Sequence, residues 1–421
     1  MPKSQLISAI DIGTTKITTV IASLSLDQEK INVIGVATEP AKGLRKSQIV
    51  DIDETIESIT QSVEAAERMA GYSIASALVS VSGTHIESLN SKGVVAVAEP
   101  EGEIDEQDVA RVIEAARAVS LPSAREVLHV IPRDFKVDSQ DGVKDPVGMS
   151  GVRLEAEAHL VSGSSTAMRN LGKCVAEIGV EVESLVFSGL ASAEAVLTPT
   201  EKELGVILID LGGGSASIAV FVDGALSYSS VLPVGAKNIT NDLAIGLRVS
   251  LEAAEKIKLA LSALNETEPD SDELDVKKLN LNEEVGKLSR KTLVEGIIRP
   301  RLNEIFTLVG EELKKSGFGG STPAGVVVTG GGALTVGLAT ACKRCLSLPV
   351  RLGYPKGLSG LVDEIKSPAY SAAWGLIEYG VKNAKGIKAD SSFKSMGKFI
   401  GKLQFKGTVD KIVKLVKSFL P

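Results

Sequence analysis

The sequence predicts an α/β protein of two related lobes, with a smaller α/β domain inserted in the first. Two observations carry that prediction. An apolar run ends in Asp11-Ile12-Gly13, and two more strand-like runs follow it. The same order returns about 200 residues later, with an apolar run ending in Asp210-Leu211-Gly212. Between these segments the pattern changes character over residues 83–160. A chain of 421 residues, 44% hydrophobic and 24% charged, can bury the cores such an arrangement needs.

The first lobe reads as strand Leu6–Ile12, a Gly turn, strand Ile17–Ala22, a turn at Asp27–Lys30, and strand Ile31–Ala37. Ile52, Ile56, Ile59, Val63 and Ala66 recur at helical spacing, and Gly71 is placed to cap that helix. Ala77–Val81 is another strand. The insertion has strands Val94–Ala98, Val127–Ile131, Phe135–Val137 and Ala156–Val161, with a turn at Asp141-Gly142. Asp105 caps its helix, which shows Val109, Val112, Ile113 and Ala116 on one face. A helix follows over Ser165–Ile178.

The second lobe repeats the triplet as Val206–Leu211, Ser217–Val222 and Leu226–Leu232. The middle strand of each triplet alternates poorly, as a strand buried on both sides should. Leu251–Leu264 is helical, Asn265–Asp275 is an acidic loop, and Glu283–Lys315 is helical with a kink at Pro300. Strand Val326–Thr329 leads through Gly330–Gly332 into a helix, and Ala369–Val381 is the last core helix.

Three Gly-rich turns each follow an apolar strand. They are Gly13-Thr14-Thr15-Lys16, Gly212-Gly213-Gly214-Ser215 and Gly330-Gly331-Gly332-Ala333. Glycine lets backbone N–H groups approach phosphate oxygens, hydroxyls add donors, and Lys16 adds a charge-assisted contact. Asp11 and Asp210 at the strand ends suit Mg²⁺, held through water because that ion sheds its waters reluctantly. The chain lacks the P-loop and dinucleotide-binding glycine patterns.

Three cysteines, Cys174, Cys342 and Cys345, suit a reducing compartment, and the last two read as sharing a buried helix face. No run of about 18 uncharged apolar residues exists to span a membrane, and the first residues lack the pattern of a signal peptide. The expected compartment is the cytoplasm. Net charge is −7, but residues 391–421 hold seven Lys and one acid. Removing that +6 tail leaves −13 on residues 1–390, which argues against nucleic acid as a partner. The tail itself reads as a basic amphipathic helix. Phe405, Val409, Ile412, Val413, Leu415, Val416, Phe419 and Leu420 form one arc. Lys406, Lys411, Lys414 and Lys417 lie opposite or at its edge. Such a helix is expected to lie in the surface of an anionic membrane.

The three loops, in this order, resemble the phosphate 1, phosphate 2 and adenosine motifs of the actin-like ATPase superfamily. The resemblance implies an actin-like fold of two ribonuclease-H-like lobes with ATP and Mg²⁺ between them. Ala254–Lys258 is similar to the helix whose acid and base bind nucleoside there, which implicates Glu255 and Lys258. The inserted domain, the Phe187–Ala193 connector, Pro233–Gly235 with Ile239–Asp242, and Ala369–Gly380 narrow the resemblance to the FtsA family of bacterial cell-division proteins. It implies subdomain 1A over 1–82, 161–198 and 366–381, with inserted subdomain 1C over 83–160. It further implies 2A over 199–235 and 294–365, 2B over 236–293, a linker over 382–403 and the amphipathic helix over 404–421.

That family is expected to form filaments at the cytoplasmic face of the plasma membrane at the division site. It is expected to tether the FtsZ ring there and to meet other division proteins through subdomain 1C. Arg290, Lys291, Arg299 and Arg301 form a basic cluster suited to the FtsZ C-terminal peptide. Chaperones of the superfamily carry an acid in the connector, where this chain reads Ser188-Gly189, so no water-activating residue is assigned. The alternative reading is an actin-like pilus or secretion assembly protein, and beyond it a sugar-kinase or phosphatase-type enzyme.

Overall fold

The computed structural model describes residues 4–25, 30–98, 102–263, 272–274, 276–281 and 286–386. The amphipathic helix expected at 404–421, with its membrane-facing residues, lies outside them. So do most of the expected linker and acidic loop.

Two sheets repeat one topology. In the first, Lys30–Pro40, Lys16–Ser25 and Ser4–Ile12 run antiparallel, then Ser76–Val81 and Glu181–Phe187 join in parallel. In the second, Ala225–Leu232, Ala216–Val222 and Val206–Leu211 are followed by parallel Val326–Thr329 and Val350–Leu352. The first sheet gains a short edge strand at Ser359–Gly360. The register repeats too, since Asp11 lies opposite Thr18 and Asp210 opposite Ser217. Both middle strands are buried along most of their length, which explains their poor alternation.

Helix Ile52–Ala70 covers the first sheet. Asp51 caps its start by accepting from Glu54 N–H at 3.0 Å, and Gly71 ends it at φ 70°. Helix Ser188–Val196 passes between the lobes almost wholly buried, and helix Ser371–Gly386 packs beside it. The last helix was expected to stop at Val381. It continues to Gly386, because Lys382–Gly386 contains no helix breaker until that glycine.

The insertion is a four-stranded antiparallel sheet in the order Glu87–Ala96, Arg153–Ser164, Arg125–Val137, Gln140–Val143. Helix Glu106–Arg117 crosses it, capped by the expected Asp105 in a reciprocal box with Asp108. Ile104, Val112, Phe135 and Leu154 form its own small core.

Three local expectations change. The two strands separated at Pro132 are one strand, because the proline sits at a bulge opposite Ala158, where no ladder donor is needed. The turn expected at Asp141-Gly142 falls at Asp138-Ser139, with Asp138 at φ 52°. The kink expected at Pro300 is spread over a π-turn at Val294–Ile298, just before helix Arg299–Ser316. Pro300 has no N–H, and its ring would strike the carbonyl four residues back; one wider turn relieves both problems.

Candidate phosphate-binding cleft

Asp11 and Asp210 end equivalent strands and face one cleft between the lobes. The turn after each has the same shape. Gly13 N–H donates to Lys16 O at 3.0 Å, and Gly212 N–H donates to Ser215 O at 2.9 Å. The two turns press together across the cleft. A Cβ on Gly213 would strike Thr15, and one on Gly214 would lie 2.7 Å from Thr14 Oγ1. Only glycine lets the two turns come this close.

Each aspartate is anchored by a serine from elsewhere. Ser80 Oγ donates to Asp11 at 2.7 Å, and Ser192 Oγ donates to Asp210 at 2.6 Å. Burial raises both carboxyls above their ordinary values, Asp210 to about 6, and the charge of Asp11 adds to the shift at Asp210. The ammonium of Lys16 opposes the rise at both. Burial lowers Lys16 itself to about 8, against the pull of Asp11 and Asp210. Its Nζ lies 3.1 Å from the centre of the Tyr370 ring, which holds it by a cation–π contact. Two desolvated carboxylates with one cation between them are what a hard, hydrated divalent ion would relieve.

The third loop completes the wall, since Gly330 and Gly331 line the cleft with Pro368 and Ala369. Gly330 has φ 84°, and a Cβ there would strike Asp210. Gly332 is buried against Leu211 and Ala333 in the second lobe's core, and neither lines the cleft. The loop opens a four-residue 3₁₀ turn, Gly331–Leu334, not the expected helix, which begins at Leu338. Glycines at 330–332 and the turn at Gly337 delay its start.

Glu255 and Lys258 share a helix face as expected, but they do not line this cleft. Thr240 Oγ1 donates to Glu255 at 2.6 Å, and Lys258 Nζ donates to Glu255 at 2.7 Å and to Thr240 at 3.0 Å. The Lys258 amine is buried and the carboxylate half-exposed. In the basic cluster, Arg301 makes a forked pair with Asp242 and a second pair with Glu304, and Arg299 pairs with Glu295. Lys291 is held through its backbone N–H by Asp272 at 2.8 Å. Cys342 is buried and Cys345 half-buried on the Leu338–Leu346 helix.

Sequence reasoning missed Ser47, Ser80, Ser82, Ser188, Ser192, Ser217 and Tyr370. Ser82 and Ser188 both bond Ser217, at 3.1 and 3.0 Å, which ties the lobes together. Isolated serines carry no motif, so only the fold reveals them.

A two-lobed actin-like fold with two matching glycine turns facing one cleft defines the class. The model for cell division protein FtsA matches residues 207–375, and that for the SHS2 domain inserted in FtsA matches 83–162. Cell division protein FtsA of Pseudomonas aeruginosa is 40% identical over 390 residues, covering 92% of each chain. The chain therefore belongs to the FtsA family of cell-division proteins. Among solved structures, the PilM–PilN type IV pilus biogenesis complex matches with TM-score 0.62 and 16% identity, over 89% of this chain and 98% of that one. MreB5 of Spiroplasma citri bound to AMPPNP matches with TM-score 0.56 and 13% identity, over 92% and 99%. At these identities the two structures share the fold alone.

Proposed function

We propose that this chain is a nucleotide-dependent, membrane-attached polymer of the division ring. The observation that carries the reading is the pair of matching glycine turns that meet across one cleft, each behind a buried aspartate. Their donors fit a magnesium nucleotide: backbone N–H groups and hydroxyls for phosphate, Lys16 for its charge, and the carboxylates of Asp11 and Asp210 for a hydrated Mg²⁺. Mg²⁺ would screen phosphate charge there. Gly330 and Gly331 would face the nucleoside side, with Glu255 and Lys258 beyond them.

The division-family relatives support a role beside the FtsZ ring. Arg290 and Lys291 would receive an acidic, carboxylate-ended peptide, while Arg299 and Arg301 are already committed to acids of this chain. Subdomain 1C would meet other division proteins. The tail helix, with Phe405, Ile412, Val416 and Phe419 down and Lys417 at its edge, would bind anionic lipid. One such helix binds weakly, and a filament carrying many binds by avidity. Self-association would thus switch membrane attachment on.

Electron microscopy on anionic lipid monolayers tests the reading. Filaments are expected with ATP and Mg²⁺ on lipid, and none with residues 1–390 alone. A truncated chain that still pelleted with liposomes would remove the tail from the model. Arg290→Glu should weaken binding of an FtsZ C-terminal peptide about tenfold, as loss of a charged hydrogen bond would; unchanged affinity excludes this patch.

A further inference from the structure

A two-stranded hairpin, Leu44–Arg45 with Gln48–Ile49, reaches over the phosphate end of the cleft. Its two turn residues, Lys46 and Ser47, both sit in the left-handed region, at φ 50° and 59°. Asn-Gly is the easy sequence for such a turn, and Lys-Ser is not. The strained turn aims Ser47 at both phosphate loops. Ser47 N–H donates to Thr14 Oγ1 at 2.8 Å, and the two hydroxyls lie 3.2 Å apart. Ser47 Oγ also lies 2.8 Å from Ser215 Oγ of the other lobe. One hydroxyl therefore joins the first loop to the second.

Its position is as telling as its bonds. Ser47 lines the cleft, and it also lines a second chamber of about 240 Å³ behind it, walled by Gln48, His85 and Asn170. Gly330 and Gly331, at the nucleoside side, line only the cleft. Ser47 thus stands at the partition between the two cavities with Ile12, Ser80 and Ser82, and its hydroxyl bonds a hydroxyl of the second loop there. Strain held at such a partition is a sign of function rather than of loop convenience.

We propose that Ser47 reads the length of the bound phosphate chain. With no terminal phosphate its hydroxyl bonds Ser215 and latches the loops together. A third phosphate takes over the Ser47 hydroxyl as donor, which trades a neutral bond for a charge-assisted one. A diphosphate is too short to do so. The inference rests on the nucleotide reading above and adds to it the residue that separates triphosphate from diphosphate.

Calorimetric titration of the full chain with AMPPNP and with ADP, each with Mg²⁺, tests it. Ser47→Ala is expected to weaken AMPPNP about tenfold and ADP less than about threefold, the loss typical of a hydrogen bond to a charged group. Ser47→Gly removes the same hydroxyl from a backbone that favours glycine, so it should show the same selective loss even if the alanine variant folds poorly. Equal losses for both nucleotides would make Ser47 a simple brace and overturn the inference. An unchanged ratio would also overturn it. If the unaltered chain bound neither nucleotide, the reading beneath would fall, and this one with it.

Discussion

At the residue scale, the cleft sets function against stability. Asp210 is held above its ordinary value, at about 6, by burial and by Asp11, so it is still ionised at pH 7.5 but its charge costs stability relative to the unfolded chain. Asp210→Asn keeps the shape, removes that charge, and can still accept from Ser192. Without nucleotide, this variant should melt roughly 2 °C higher at pH 7.5. It should also lose the part of its nucleotide affinity that Mg²⁺ supplies, read as the difference between titrations with Mg²⁺ and with EDTA. A lower melting point would mean that the carboxylate is stabilising as it stands. Gly375 belongs to the same scale. A Cβ there would run into the Ala191 carbonyl, where the last helix crosses the interlobe helix. Gly375→Ala should therefore cost about 2–3 kcal/mol by overpacking, measured by urea denaturation. A cost near zero would mean that the two helices can slide apart.

At the element scale, the inserted sheet is joined to its neighbours by polar contacts. Ser88 Oγ donates to Ser229 O at 2.7 Å, and Arg133 Nε donates to Ser227 Oγ at 3.1 Å. His159 stands 2.6 Å from Asn90 Oδ1 and 3.0 Å from Ser229 Oγ, and His129 Nε2 accepts Phe187 N–H at 3.0 Å. Burial lowers His159 to about 3, with help from Arg133, and His129 to about 4. Both are therefore neutral when folded, whereas in the unfolded chain they take up protons below about pH 6.5. The stability they contribute is complete above that pH and is lost as pH falls from 6.5 towards 4 for His129 and towards 3 for His159. Acid should loosen this joint. Melting curves of His129→Phe should lie lower at pH 7.5, where Phe187 loses its acceptor, but fall less steeply on acidification. An acid slope equal to that of the unaltered chain would acquit His129.

At the scale of the whole molecule, the lobes share an apolar core, and at the cleft they meet through hydroxyls at Ser82, Ser188 and Ser217, and at Thr14, Ser47 and Ser215. Neutral bonds of this kind are each modest, so they suit a closure that has to be reversible. A nucleotide touching both turns should protect them together. Hydrogen exchange at Gly13–Lys16 and Gly212–Ser215 should slow in step on adding AMPPNP with Mg²⁺. Protection of one turn alone would place the ligand on a single lobe.

The sequence by itself determined the duplication, the insertion and the three glycine turns, because each is local. Apolar runs of strand length, a cap at Asp105 and glycine at strand ends leave their signal within a few residues. It also determined the split between a −13 body and a +6 tail, since charge needs no fold to be counted. Only the tertiary structure decided which hydroxyls reach the cleft. Ser47, Ser80 and Ser192 come from a hairpin, a parallel strand and the interlobe helix, and they meet Thr14, Asp11 and Asp210 through pairings made far along the chain. It alone decided that Arg299 and Arg301 spend their charge on Glu295, Asp242 and Glu304, which leaves Arg290 and Lys291 as the part of the basic cluster not paired in this way. It likewise placed Gly332 against Leu211 and Ala333 in the second lobe's core rather than on the cleft wall. Periodicity and turn chemistry act over neighbours, whereas a site is made by packing, which brings distant residues to one point.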